Sequence, residues 1–263
     1  MRHFRTVLGC QLRDAARSRP VLGYTLLLML LTDLLFRFGD GGPRVALSLI
    51  NVVLLLVPLV GLLYGTMYFQ QARGFSLFLL AQPVGRGPLL AGLYGGLALP
   101  LVVALLAGLG LPFLWHAAPD PALWRPLAAL FGVGILLTLA ATALALLVAV
   151  RIDDRARGLA TALLVWILGG VVFDGALLAL AVAFSRWPLE RPLLLLTFLN
   201  PLDLGRVVLL LQFDSAALLG YTGAVFAKFF GAAWGALLAG LALTAWVVVP
   251  VGTAGRIFRR RDL

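Results

Sequence analysis

Six apolar stretches, at 20–38, 45–69, 88–115, 126–150, 158–184 and 230–253, dominate this chain. Each has the ~20 residues that a helix needs to cross a hydrocarbon layer. Lipid offers no hydrogen-bond partner to the backbone, so such runs must satisfy their own peptide groups as helices. The chain is 62% hydrophobic and 12% charged over 263 residues. Water-soluble domains carry about twice that charge, and one soluble core of this size cannot hide so much apolar surface. The expected fold is all-α: an integral membrane bundle of six transmembrane helices, forming a single domain over 1–263.

The charges fall at the ends of the runs. One set of ends carries Arg2, Arg5, Arg13, Arg17, Arg19, Arg73, Arg86, Arg151, Arg155, Arg157, Arg256, Arg259, Arg260 and Arg261. The opposite ends carry Arg37, Arg44, Arg125, Arg186, Arg191, Arg206 and Lys228. Cationic loops stay on the cytoplasmic side, so both termini are expected there, in a bacterial or archaeal inner membrane. The formal charge of +10 then reflects topology and contact with anionic membrane lipids, not nucleic acid.

Three segments exceed what crossing a membrane requires. Residues 1–19 place Phe4, Leu8, Leu12 and Ala15 on one helical face, with Arg5, Arg13 and Arg17 off it. This predicts an amphipathic interfacial helix. Residues 70–88, QQARGFSLFLLAQPVGRGP, form a basic amphipathic loop on the cytoplasmic side, suited to docking a partner. The outer loop, 185–230, contains two apolar pieces too short to cross. Asn200-Pro201 opens the first, and Asp214 or Ser215 caps the second, which predicts a re-entrant or interfacial helix pair.

Motifs for catalysis are missing from the sequence. Lys228 is the lone lysine and follows no glycine-rich phosphate loop. His3, His116 and Cys10 do not have the spacing of a metal site, so no metal or cofactor is expected in the chain. His116 reads as a polar helix end and Cys10 as a small apolar residue. Two carboxylates lie within apolar runs, where they need a partner, a cavity or a proton. Asp33 has Arg37 one turn later, a local pair. Asp174 has no basic residue within a turn, which leaves protonation, a pair across helices and a pathway lining all open. Gly61 and Gly65, Gly92 and Gly96, and Gly231 and Gly235 are spaced for close helix approach within the bundle or between copies.

The 70–88 loop resembles that of the ABC-2-type permeases, the membrane subunits of ABC transporters. The likeness rests on Ala72-Arg73-Gly74-Phe75, the apolar 77–80 and Gln82-Pro83-Val84-Gly85-Arg86, supported by RDAARSRP at 13–20 and the six runs. Here Gln70 and Gln71 open the loop without a glutamate. The resemblance implies a coupling helix inserted into a cytoplasmic ABC ATPase, which itself binds ATP and Mg. In that role Arg73 and Arg86 contact the ATPase or lipid phosphates. Phe75, Leu79 and Leu80 are the apolar anchors, and Gly74 and Pro83 belong to the same motif. It also implies pairing with a second copy of the chain. The pieces at 166–174, LNPLDLGR, FDSAALLGYTGAVF and FRRRDL resemble a narrower branch, the permeases that serve maturation of the copper-sulfur centre of nitrous oxide reductase. That likeness implies a periplasmic β-helical partner docked near 200–230, with Asn200, Asp203, Arg206, Asp214 and Tyr221 as contacts. Two other readings remain: an exporter of a lipid or hydrophobic small molecule, and an ion-coupled secondary transporter working through Asp174.

Overall fold

The computed structural model describes residues 18–39, 42–72, 86–116, 123–184, 190–212 and 233–260. The N-terminal interfacial segment up to residue 17, the coupling segment 73–85 and the second outer piece, with Asp214 and Tyr221, lie outside the described residues. Nine α-helices are described: α1 (Arg19–Phe38), α2 (Gly42–Gln71), α3 (Arg86–His116), α4 (Trp124–Arg151), α5 (Arg155–Ile167), α6 (Phe173–Ala183), α7 (Glu190–Phe198), α8 (Pro201–Gln212) and α9 (Ala233–Arg260). There is no strand among them. One π turn, Leu168–Val172, joins α5 to α6, so the two form a single span. Among the described residues, six helical segments, counting α5 and α6 as one, are long and apolar enough to cross a membrane, as the six runs require.

Boundaries follow local chemistry. Pro20 sits in the first turn of α1, where its missing N–H costs nothing. Asp154 caps α5 by accepting the Arg157 N–H at 2.7 Å. Pro58, Pro100, Pro112 and Pro250 lie inside long helices, as spanning helices tolerate. The last helix continues through Arg260, beyond the apolar run that ends at 253, because hydrophobicity stops at the membrane edge and helix geometry does not.

The bundle is organised around α4, two-thirds of whose apolar window is buried. α2 lies along one side of it and α9 along another. Gly61 and Gly65 of α2 set this approach. A methyl at either would sit 2.8 Å from the Cβ of Ala141 or Ala145 on α4. Small residues at four-residue spacing therefore face small residues, and backbones approach closely where lipid gives no hydrophobic drive. Gly108 of α3 plays the same part against Leu28 of α1. Buried Thr32, Thr138 and Thr142 donate to carbonyls of their own helices, at 2.7–2.8 Å. Leu26, Leu30, Leu164, Val171, Leu178, Val182, Leu241 and Val248 project outward, as lipid-facing side chains do. Replacing Gly61 with leucine forces α2 off α4 and costs about 1–3 kcal/mol. A thermal melt in detergent will show the loss, and Ala141→Gly in the same chain will recover part of it.

Candidate functional site

Asn200 organises the polar site. It is buried at the turn between α7 and α8. Its Oδ1 accepts the Leu202 N–H at 3.1 Å, which caps α8 as the Asn-Pro pair predicts. Its Nδ2 donates to the Gly169 carbonyl at 2.7 Å. Gly169 lies in the π turn of the fifth span, where wider i→i+5 bonding displaces carbonyls from the regular ladder. The asparagine thus gives a hydrogen bond to backbone that the irregular turn exposes. Gly169 leaves little room there, since a Cβ would stand 3.1 Å from the Leu202 side chain.

One turn beyond, Asp174 forms a salt bridge with Arg206 of α8, 32 residues away. The same guanidinium lies 3.4 Å from Asp203, which also accepts from Asn200 Nδ2 at 3.3 Å. Of the readings open for Asp174, the structure shows the pair across helices. One cation thus faces two carboxylates. Burial, and behind it the neighbouring Asp174, pushes the Asp203 carboxyl up to about 8. The structure brings Asn200, Asp203, Arg206 and Asp174 into one cluster. The sequence had placed the first three on an outer loop and Asp174 deep in a span. α7 was not foreseen, since ERPLLLLTF reads as loop by length alone.

α8 is too short to cross but is packed among spans. It touches α2, α4 and α9, and Gly205 lies against Val133 of α4. Below the Asn200 turn lies an apolar cavity of about 210 Å3, lined by Pro58, Leu62, Leu144, Trp166, Phe173 and Trp246 among others. Both indole N–H groups are engaged, Trp166 with the Leu55 carbonyl at 3.0 Å and Trp246 with the Phe198 carbonyl at 3.2 Å.

Asp33 accepts from Arg37 Nε at 2.7 Å, the expected local pair. It also lies 3.4 Å from His116 Nε2 on α3, and Phe36 stacks on the His116 ring at 5.3 Å. His116 therefore ties α3 to α1, a link that 83 residues of separation conceal. Among the described residues, no three His, Cys, Asp or Glu side chains gather as a metal site. Of the coupling residues, only Arg86 is described, as the first residue of α3.

A six-span α-helical bundle with a polar cluster holding a short inserted helix is a multi-pass membrane protein. No protein-family model matches the chain. The chain is 31% identical to the "Probable ABC transporter permease protein NosY" of Pseudomonas aeruginosa, covering 98% of each. It is 29% identical to the protein of that name from Stutzerimonas stutzeri, covering 95% of this chain and 96% of that one. The chain belongs to the NosY family of ABC transporter permeases.

Two outcomes follow. Removing the cap with Asn200→Ala leaves the Leu202 N–H and Gly169 carbonyl without their side-chain partner and costs about 1–2 kcal/mol. Faster hydrogen exchange over 168–174 and 201–205 will report it. Because folding raises the Asp203 pKa, the native state binds the proton more tightly than the unfolded chain. Stability is therefore fullest below the unfolded value and is lost as pH rises toward the folded one. The wild-type melting temperature will fall as pH rises from about 4 to about 8, and Asp203→Asn will flatten that fall.

Proposed function

We propose that this chain is the permease subunit of an ABC transporter in the inner membrane, with both termini cytoplasmic, working with a separate cytoplasmic ATPase. The near full-length likeness to two NosY permeases carries this reading. ATP and Mg bind to the ATPase, and the chain itself is not an enzyme. Two copies pair above two ATPases. Among the spans, the fifth is the least enclosed, with only 6% of its window buried, which supports its meeting a second copy or lipid.

In this reading segment 72–86 is the coupling element. Phe75, Leu79 and Leu80 anchor it in the ATPase, Arg73 and Arg86 contact acidic or phosphate groups, and Gly74 and Pro83 shape its turns. ATP closes the ATPase dimer, and the segment's differing contacts with the open and closed dimer shift the bundle between two states. At the other end α8, held to the fifth span by Asn200 and Arg206, passes the motion on. The target is a periplasmic β-helical partner near 200–230, contacted through the half-exposed Arg206 together with Asp214 and Tyr221, and the task is maturation of the copper-sulfur centre of nitrous oxide reductase; Asn200 and Asp203, expected from the sequence as contacts, are instead buried within the cluster. The apolar cavity favours a second reading, export of a lipid or hydrophobic small molecule.

Pull-down of the tagged chain from native membranes separates these readings. Recovery of an ATPase with a β-helical periplasmic protein supports the maturation role, and an ATPase alone leaves the exporter. Recovery of neither sinks the partnership with an ATPase and returns attention to Asp174 as an ion site. In the assembled complex, Phe75→Asp with Leu79→Asp will abolish ATPase association or coupling while the melting temperature stays within a few degrees, since surface changes shift stability by about 0.5 kcal/mol or less.

A further inference from the structure

Gln70 is the next to last residue of α2. Its side chain is buried, 8% exposed, at a helix end where a glutamine would ordinarily reach into water. It points into the turn between α4 and α5. Its Nε2 donates to the Asp154 carbonyl at 3.2 Å and to the Ile152 carbonyl at 3.4 Å. The same Asp154 carbonyl receives the Gly158 N–H at 2.9 Å, so the glutamine joins the opening hydrogen bond of α5. Gly158 provides the room, since a methyl there would overlap the Gln70 amide. The Oε1 is buried with no hydrogen-bond partner among the described residues. The amide is therefore held by its two donations.

This contact stands at a mechanical junction. α2 ends one residue later, and Ala72 begins the segment assigned above to coupling. α5, capped by Asp154, runs into the π turn, and α6 continues the span with Asp174 in its first turn. Higher up, Trp166 donates to the Leu55 carbonyl of α2 at 3.0 Å. The fifth span is otherwise little enclosed, so these three hydrogen bonds, with Ala162 packed against Leu62, tie its lower half to α2.

We propose that Gln70 is a positioning residue that locks the end of α2 to the start of α5, so that displacement at residue 72 is carried into the fifth span and its π turn. The inference rests on the ABC permease reading for the source of the displacement and on the structure for the lock. It contacts neither nucleotide nor cargo.

A mutant cycle tests it in the complex of chain and ATPase in nanodiscs, by hydrogen exchange with and without ATP and vanadate. Gln70→Ala removes the donor. Gln70→Glu keeps the shape but turns an acceptor on two carbonyls. Gly158→Ala displaces the amide from its seat. Each variant is expected to retain the ATPase and to hydrolyse ATP within about twofold of wild type. Each is expected to keep the ATP-dependent change in exchange over 60–72 and to lose at least about threefold of it over 155–180. Gln70→Ala with Gly158→Ala is expected to be no worse than either alone, because both break one contact. An unchanged response over 155–180, additive losses, or loss of assembly would each overturn the proposal. If the wild-type chain holds no ATPase or shows no ATP response, the permease reading fails instead. The lock is then read in the chain alone, where Gln70→Ala must speed exchange over 152–158, and unchanged exchange there overturns it.

Discussion

The close contact of α2 with α4 is the constraint on which the other features depend. In lipid, helices gain nothing by hiding apolar surface from one another, so association relies on fit and on hydrogen bonds. Gly61 and Gly65 against Ala141 and Ala145 let two backbones meet without side chains between them. With α2 fixed there, its Leu55 carbonyl receives Trp166 and its Gln70 reaches the 152–154 turn. Both ends of the fifth span's lower half are thereby placed from α2.

The upper half is held differently. The π turn gives the fifth span an irregular backbone, which lipid tolerates only where protein supplies the hydrogen bonds. Asn200 supplies one and caps α8 with the same amide group. Arg206 then pairs with Asp174 on the next turn. Irregular backbone, short inserted helix and half-buried ion pair are one arrangement, since each leaves polar groups that the others satisfy. A half-buried pair of this kind contributes little to stability on its own, and here it joins α8 to the fifth span across 32 residues.

Much of the site was legible in single residues but not in their company. Asn200-Pro201 announced a helix start, and Asp174 announced an intramembrane carboxylate in need of a partner. That Asp174 meets Arg206 was hidden, since the two stand 32 residues apart and no local spacing rule reaches that far. The Asp33 and Arg37 pair was legible because one helical turn separates them, whereas His116 as a third member was not. Gln70 carried even less signal, because a glutamine at a helix end is ordinary until a glycine on another helix makes room for it.

Sequence alone determined that this chain is an all-helical membrane bundle, how many times it can cross, and where the arginine-bearing ends lie. Those properties are sums over local runs: each hydrophobic stretch must be a helix in lipid whatever its neighbours do. Tertiary structure decided that α8 inserts among the spans, that a π turn interrupts the fifth span opposite Asn200, and that Gln70 joins α2 to α5. Those properties depend on which helices are adjacent. Adjacency follows from small-residue fit and polar satisfaction between residues distant in the chain, which no local pattern encodes.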